Sequence, residues 1–452
     1  MSEPEGFTSG NVNRLTERSL FSAWRAVASV TVLAALTGFT ASTVTARSLG
    51  AEGFGVFAIA TNLLAILVVL AGAGYQLAIL RFGPKFVVES DTQQFATMVR
   101  SARVQTFLLA LIAVAATAAA LLLFPQLSPL RRIDVMILTM AALPFAMWTM
   151  VNTVVNRVYG HLQLAILPDA IMRHLFLILT AVVCYLWNPL ANRDPIYFAL
   201  AVFLSAAASG IVSHEISRRS TPLGMRGVQT VSSSIAWLKT ALTFFGINLF
   251  FVLRTQIDVF AVAALVSTKE AGIYAITLRL GDLLSALTTT LSFVISPRIS
   301  NALAQNDKTL FQQDQRAAAL IMTIFGLVIG VPMILGAQYW LGVFGPEFRT
   351  GVLALVVFTL SAMIRNFIGP YFYILTMTGH QGTITRLTAA STALQLFLLI
   401  VLTSPYGAAG AAIARSVPEV LVAVSGWFIV WRRLGFMTGL PALLSTGRRN
   451  QV

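Results

Sequence analysis

Residues 49–63 read LGAEGFGVFAIATNL, and residues 266–280 read VSTKEAGIYAITLRL. Aligned end to end, the two stretches place Gly55 opposite Gly272 and share further apolar residues at matching positions. Their separation is close to half of the 452-residue chain. The chain therefore consists of two copies of one unit.

A second match supports the repeat. Tyr159-Gly160-His161 recurs as Thr378-Gly379-His380 at nearly the same separation. A half-length repeat in a membrane protein is typical of transporters whose halves move against each other about a central site.

The composition predicts a membrane protein. The chain is 57% hydrophobic and 11% charged, with a mean hydropathy of +0.80, whereas soluble domains carry about 25% charged residues. A membrane-spanning helix needs about 20 mainly apolar residues. We predict an all-α fold of about twelve such helices, at residues 26–46, 55–80, 104–124, 134–156, 164–187, 195–214, 235–262, 271–296, 317–337, 351–377, 383–403 and 407–431.

The repeat sets the predicted domain organisation. Six spans per unit give both halves the same orientation, related by an axis along the membrane normal, around a central cavity. The predicted parts are a cytoplasmic N-terminal segment 1–25, a six-helix bundle 26–215, a cytoplasmic linker 216–234, a second bundle 235–431 and a cytoplasmic tail 432–452.

The formal charge of +14 is distributed as membrane topology requires. One set of alternate loops, together with both termini, holds most of the Lys and Arg residues, while the opposite set holds only Arg47, Arg131, Arg132, Arg193, Lys269 and Arg349. The positive-inside rule therefore places both termini in the cytoplasm. The basic charge is explained by topology, so nucleic acid is not expected as a partner.

Five arginines fall inside predicted spans, where each costs about 2.5–3.5 kcal/mol at a helix centre. Four of them have a carboxylate three or four residues away, on the same helix face: the pairs are Asp169 with Arg173, Arg254 with Asp258, Arg279 with Asp282, and Arg415 with Glu419. Such pairs either make insertion tolerable and lock helices together, or line a polar cavity that holds an anion or moves a proton.

Arg365 differs from the other four arginines because no Asp or Glu lies within four positions of it. It therefore needs an anion, a cluster of backbone carbonyls or a carboxylate from another helix. The repeat equivalents of two of the arginines are neutral, with Thr37 opposite Arg254 and Asn62 opposite Arg279. The second half is therefore expected to carry the charged part of the site.

Prolines are expected to interrupt several spans, because proline removes a backbone hydrogen bond and bends the helix. They are Pro144, Pro168, Pro332, Pro370 and Pro418. The last two lie near Arg365 and Arg415, which favours a cavity or a gate there.

Enzyme and metal signatures are absent from the sequence. The only cysteine, Cys184, excludes an internal disulfide and a cysteine metal cluster. The four histidines show no paired metal spacing, and no nucleotide-binding G-x-x-x-x-G-K-S/T loop occurs. We therefore expect no cofactor, no metal and no catalytic residue.

Four segments resemble the polysaccharide-exporting, O-antigen-type flippases, which share a superfamily with MATE multidrug exporters and the lipid II flippase. They are ARSLGAEGFGVFAIATNLLAIL (46–67), ILRFGPKFVVESDTQQFATMVRSA (79–102), the region 269–300 with KEAGIYAITLRLGDLL and SFVISPRIS, and LGVFGPEF (341–348). Together they cover much of the chain.

The resemblance implies two six-helix bundles around a cavity in the bacterial cytoplasmic membrane. The implied cargo is an oligosaccharide on a polyprenyl diphosphate, moved to the outer leaflet by alternating access, with membrane lipid and other polysaccharide-assembly proteins as further partners. An anionic cargo suits the arginines, so the expected substrate-binding residues are Arg365, Arg279, Arg254, Arg415 and Arg173. Asp258, Asp282 and Glu419 are candidates for ion coupling.

Two other functions remain open from the sequence. A MATE-like antiporter of organic cations or drugs is one, although such a protein is expected to show unpaired carboxylates. A membrane glycosyltransferase or polymerase is the other, although the first external loop, 47–53, offers only Glu52 as a carboxylate.

Overall fold

The computed structural model describes residues 9–123, 132–159, 161–187, 194–220, 234–284, 308–378, 380–434 and 438–440. Within them the chain is almost entirely helical and contains no strand, which confirms the all-α fold class. Gly160 and Gly379 of the second repeat match, residues 221–233 of the linker, residues 285–296 of the eighth predicted span and most of the tail lie outside the described residues.

The first half of the chain forms seven helices in the described ranges. They are α1 (Ser9–Gly72), α2 (Tyr75–Val88), α3 (Thr92–Leu123), α4 (Ile133–Met140), α5 (Leu143–Val158), α6 (Leu162–Trp187) and α7 (Pro195–Ser220). Helix α7 packs against α5 and α6, and α6 packs against α1.

The second half continues with helices that run in the same order. They are α8 (Ser234–Leu265), α9 (268–284, where the description stops), α10 (Lys308–Leu335), α11 (Ala337–Gly342), a 3₁₀ helix (Pro346–Gly351), α12 (Val352–Ile368), α13 (Tyr371–Met377) and α14 (Gln381–Leu434). Helix α14 packs against α12 and α8, and α10 packs against α12.

Two predicted pairs of spans are joined without a loop. Helix α1 is kinked at Gly50 (φ 67°) and α14 at Gly407 (φ 55°), so each contains two straight segments. Glycine suits both positions because a positive φ is costly for residues with a Cβ atom. The kinks lie between the predicted spans 26–46 and 55–80, and at the start of the span predicted at 407–431.

One predicted span is wrong in its extent. The apolar run 55–80 was expected to form a single helix, but α1 ends at Gly72 and α2 begins at Tyr75. Ala73 (φ 46°) and Gly74 (φ 83°) separate the two helices in the left-handed region. The run stays apolar across this break, so hydropathy gave no sign of it.

The proline predictions hold at two of five positions. Pro144 opens α5 after a turn, and Pro370 precedes α13. The prediction is wrong at Pro168, Pro332 and Pro418, where α6, α10 and α14 continue.

The two halves meet where the sequence repeat is strongest. A Cβ atom on Gly55 would lie 1.9 Å from the carbonyl oxygen of Thr268, and one on Gly272 would lie 2.0 Å from that of Ala51. Only glycine allows two helix backbones to approach so closely. The matched glycines of the repeat are therefore the point at which α1 and α9 cross.

Further contacts close this end of the molecule, which we call the Gly50 end. The guanidinium Nε of Arg47 donates to the Val343 carbonyl at 2.6 Å, and the backbone N–H of Ala51 donates to Glu347 Oε2 at 2.9 Å. The Phe39 ring also meets the Phe344 ring edge-to-face at 5.4 Å. The halves are thus joined by hydrogen bonds and aromatic packing at the Gly50 end.

The outer surface of the bundle is apolar. Within the described part of the chain, seven helices are long and apolar enough to cross a membrane. Leu186, Leu335 and Ile400 are 75%, 82% and 69% exposed. Large apolar side chains in such positions are favourable against lipid and unfavourable in water, so the protein is a multi-pass membrane protein.

Candidate arginine-lined cavity

A cavity of about 950 Å³ opens among the helices of the second half. Its walls come from α8, α9, α12, α13 and α14, and Ala58 and Asn62 of α1 close it on the side of the first half. Of the eight predicted site residues, six line it: Arg254, Arg279, Arg365, Arg415, Asp282 and Glu419.

The charged residues lie near the middle of the membrane. With a helical rise of about 1.5 Å per residue, Arg415 and Glu419 lie about 12 Å and about 18 Å along α14 from the kink at Gly407. The same rise places Arg365 about 20 Å into α12 from its first residue, Val352. A hydrocarbon core is about 30 Å thick, so these groups lie close to its centre.

The cavity continues away from the Gly50 end. Thr385 and Thr388 also line it, and they lie about 30 Å along α14 from Gly407. Ala408, next to Gly407, donates its backbone N–H to Glu270 Oε2 (3.1 Å), two residues from Gly272. Gly407 therefore lies at the Gly50 end, and the cavity extends toward the opposite end of the helices.

Glu419 is the centre of a cluster of three arginines. Its Oε2 accepts a hydrogen bond from Arg365 Nη1. Its Oε1 lies 3.6 Å from Arg415 Nε and 3.9 Å from Arg254 Nη2. These arginines come from α8, α12 and α14, so one carboxylate joins three helices.

Asp258 holds the same cluster from the buried side. Its side chain has no exposed surface. It accepts hydrogen bonds from Arg415 Nη1 (2.9 Å), Tyr274 Oη (3.0 Å) and Gln395 Nε2 (2.8 Å). A buried carboxylate with this many donors is fully satisfied, so Asp258 fixes the position of Arg415.

Arg279 reaches toward the first half of the chain. Its Nη1 donates to Ser42 Oγ at 2.5 Å, and its Cζ lies 5.1 Å above the Phe54 ring. Arg173, on α6, is exposed and interacts electrostatically with Arg279, but it is not among the described residues that line the cavity. The side chain of Asp169, its predicted partner, lies outside the described residues.

Only one of the testable sequence pairs forms as predicted. Arg415 and Glu419 do pair. The pairing of Arg254 with Asp258 is wrong, because α14 supplies better-placed partners to both residues: Glu419 approaches Arg254, and Arg415 binds Asp258. The pairing of Arg279 with Asp282 is also wrong, because Arg279 is directed toward Ser42 on α1.

Asp282 is exposed within the cavity wall. It forms no hydrogen bond or ion pair with another residue of the described ranges. For Arg365, the sequence left three kinds of partner open, and Glu419 supplies the carboxylate from another helix.

Sequence reasoning missed the neutral residues that complete the site. Gln395 accepts from Arg254 Nε (3.4 Å) and donates to the Arg254 carbonyl (3.1 Å) as well as to Asp258. Tyr274 aligns with Phe57 in the sequence repeat, and its hydroxyl, which Phe57 lacks, binds Asp258. Isolated Gln and Tyr residues in apolar runs carry no spacing signal.

The net charge of the site is positive. Arg254, Arg279, Arg365 and Arg415 provide four guanidinium groups, and Asp258, Asp282 and Glu419 provide three carboxylates, which leaves one positive charge. Within the described ranges, no group of three or more His, Cys, Asp or Glu residues could hold a metal ion. A net positive charge favours an anion over a cation in the cavity.

The fold and the cavity define a class: multi-pass helical membrane proteins with two repeats around a polar central site. The model of the polysaccharide biosynthesis protein family matches residues 22–303, which is more than half of the chain. The chain belongs to this family. No curated protein matches it.

Several solved membrane transporters share the fold of this chain. The chain is similar to an inward-facing multidrug resistance MATE family transporter of the MOP superfamily (TM-score 0.70, 14% identity, 94% of this chain and 100% of that chain). It is also similar to the lipid II flippase MurJ in an inward closed conformation (TM-score 0.69, 14% identity, 89% and 87%). A third similar structure is a MOP superfamily transporter from Pyrococcus furiosus, described as having a binding pocket of reverse polarity (TM-score 0.59, 15% identity, 94% and 97%). The predicted family is confirmed by the family model, and at these identities the similarity to the solved structures is one of fold.

Proposed function

We propose that the protein is a flippase that moves a polyprenyl-diphosphate-linked oligosaccharide from the cytoplasmic to the outer leaflet of the bacterial cytoplasmic membrane. The observation that carries this proposal is the positively charged cluster around Arg365 at mid-membrane depth. A diphosphate offers several oxygens to guanidinium groups, which bind phosphate through paired hydrogen bonds. Membership of the polysaccharide biosynthesis protein family supports a sugar-bearing cargo.

The volume of the cavity supports a single short oligosaccharide, rather than a finished polymer, as the cargo. Pockets of about 300–1,000 Å³ typically enclose one drug-sized ligand, and this cavity measures about 950 Å³. It can hold a diphosphate and a few sugars while the polyprenyl chain remains in lipid. Cytoplasmic entry follows from the Lys and Arg distribution, which places the Gly50 end outside and the open end of the cavity inside.

We propose that the two bundles, residues 26–215 and 235–431, rock against each other so that the crossing at Gly55 and Gly272 separates. Opening of the Gly50 end then exposes the bound diphosphate to the outer leaflet. No nucleotide is needed, because moving one elementary charge is worth about 2.3 kcal/mol per 100 mV. A diphosphate of about two negative charges gains roughly twice that when it leaves an inside-negative cell.

Within this proposal, Arg254, Arg365 and Arg415 contact the diphosphate, and Arg279 and Arg173 extend the positive surface toward the first half. Asp282 is exposed to the cavity and is the best placed of the three carboxylates for ion coupling, since Asp258 and Glu419 already bind arginines. Partners other than the lipid-linked cargo and membrane lipid are components that assemble polysaccharide.

One observation favours the MATE-like alternative. Asp282 is a carboxylate without an ion pair among the described residues, and exporters of organic cations are expected to carry such a group. Four arginines in the same cavity oppose this function, because they repel a cation. A transfer or polymerase reaction is not favoured, since the cavity presents no feature beyond anion binding.

Transport of a defined cargo tests the proposal. Proteoliposomes should hold the purified protein and a polyprenyl diphosphate that carries a short fluorescent oligosaccharide, and an impermeant reagent should report the exposed leaflet. We expect exchange between leaflets in the presence of the protein, and at least a tenfold slower rate for the Arg365→Ala variant. The MATE-like alternative would be established if the wild-type protein exchanged this lipid no faster than protein-free liposomes do and exported organic cations.

A further inference from the structure

Glu419 occupies the position that a phosphate group would need. Arg365 binds its Oε2, and Arg254 and Arg415 lie 3.9 Å and 3.6 Å from its Oε1. All four side chains line the cavity. A carboxylate and a phosphate present similar oxygens to guanidinium groups, so the Glu419 carboxylate binds the arginines as a phosphate would.

The charges explain why the site needs such a residue. Three guanidinium groups that converge on one point repel each other strongly in a low-dielectric environment, unless an anion lies between them. Their side chains are only 17%, 29% and 14% exposed. Glu419 therefore stabilises the arginine cluster when no substrate is bound.

Asp258, the second carboxylate of the cluster, is held differently from Glu419. Asp258 is held by a hydroxyl and an amide in addition to Arg415, and it is fully buried. Glu419 contacts only arginines among the described residues, and its side chain keeps 16% exposure beside the cavity. Asp258 is therefore fixed in place, whereas Glu419 can leave when another anion takes its arginines.

We propose that Glu419 is an internal competitor of the substrate diphosphate. The diphosphate displaces the Glu419 carboxylate from Arg254 and Arg365 as it binds, and the returning carboxylate helps to release the diphosphate on the other side of the membrane. This inference rests on the proposed function only in taking a diphosphate as the bound group.

The test measures binding of inorganic pyrophosphate to the purified full-length protein in detergent, by isothermal titration calorimetry at constant pH and ionic strength. Glu419→Gln removes the competing charge but keeps the shape of the side chain. We expect it to bind pyrophosphate about tenfold more tightly than the wild type, in the usual range for coupled sites. Export should nevertheless fall, because release becomes slower.

Asp282→Asn is the matched control. It removes the same charge from the same cavity, but Asp282 forms no ion pair with any arginine in the described ranges. Its expected effect on pyrophosphate binding is a rise of about two- to threefold in affinity, from the more positive potential of the cavity. Equal gains for Glu419→Gln and Asp282→Asn would overturn the proposal, because they would show a field effect and no competition.

A second variant covers the case in which Glu419→Gln does not fold. Glu419→Asp keeps the counter-ion but is shorter by one methylene group, so its carboxylate cannot reach all three arginines. We expect about a fivefold gain in pyrophosphate affinity, at the lower end of the range for coupled sites and above the effect of Asp282→Asn. Unchanged or weaker binding in the folded Glu419 variants would overturn the proposal, as would absence of pyrophosphate binding in every protein. One further outcome is the predicted order of pyrophosphate affinities together with no movement of the lipid-linked oligosaccharide. In that case Glu419 is confirmed as a competitor of the bound anion, and the proposed cargo is wrong.

Discussion

Gly272→Ala tests whether the crossing of α1 and α9 closes the Gly50 end. The added Cβ atom would lie 2.0 Å from the carbonyl oxygen of Ala51, whereas ordinary contacts begin at 3.4 Å. The two backbones must therefore separate by about 1.4 Å. Overpacking of this kind typically costs about 1–3 kcal/mol, which corresponds to a change of about 5- to 150-fold in the population of the closed state.

The assay follows access to the cavity from outside the cell. Asn62→Cys, in a background with Cys184→Ala, places a thiol in the cavity below the crossing, and an impermeant maleimide reports when the Gly50 end opens. We expect the labelling rate to rise at least fivefold in Gly272→Ala. Gly382→Ala is the control, because a Cβ atom there meets nothing within 4 Å. Wild-type labelling and wild-type export in an abundant Gly272→Ala protein would refute the role of the crossing.

Three further predictions concern the arginine cluster and the topology. Arg365→Lys should retain partial export, because lysine keeps the charge but loses the paired hydrogen bonds. Arg365→Ala should nearly abolish export at normal membrane abundance. A loss of abundance in Arg365→Ala would instead indicate a role in folding. Glu419→Gln alone should lower export activity. If the pair is only structural, the double variant with Arg415→Met should recover abundance. If Arg415 contacts the cargo, the double variant should remain inactive. Lys308→Cys should resist an impermeant thiol reagent in intact cells without Cys184, and its labelling from outside would reverse the proposed orientation.

The sequence predicted the scaffold well because the scaffold depends on local and periodic signals. Hydrophobic runs marked the helices, and Pro144 and Pro370 marked two breaks. The matched glycines indicated the repeat, but that they are also the point where α1 and α9 cross is known only from the structure. The break at Ala73 and Gly74 was missed, because the chain stays apolar there and no proline precedes it. Backbone φ angles of this kind depend on packing that a hydropathy pattern does not describe.

The sequence predicted most of the residues that line the site, but not which of them form ion pairs with each other. Spacing of three or four residues showed which charges share a helix face, and it correctly paired Arg415 with Glu419. It could not show that α14 packs against α8 and α12, which gives Arg254 and Arg365 the same carboxylate. In a membrane interior the nearest opposite charge is set by helix packing, so partners from other helices outweigh those of the same helix.

The unequal distribution of charge between two matched halves has a mechanical consequence. Phe57 is replaced in the second half by Tyr274, whose hydroxyl binds Asp258, and Thr37 corresponds to Arg254. The ion pairs of the cluster thus join helices of one half, α8, α12 and α14.

The contacts between the halves are of a weaker kind. At the Gly50 end they include single hydrogen bonds, such as Arg47 to Val343 and Ala51 to Glu347. A hydrogen bond contributes about 0.5–1.5 kcal/mol, or about 1.5–3 kcal/mol with a charged group, whereas breaking a buried ion pair costs about 3–5 kcal/mol. A movement of one half against the other therefore breaks hydrogen bonds and shifts apolar side chains of a buried cluster that both halves share, but it leaves the ion pairs intact. Concentrating the charges in one half keeps the site assembled while access to it changes.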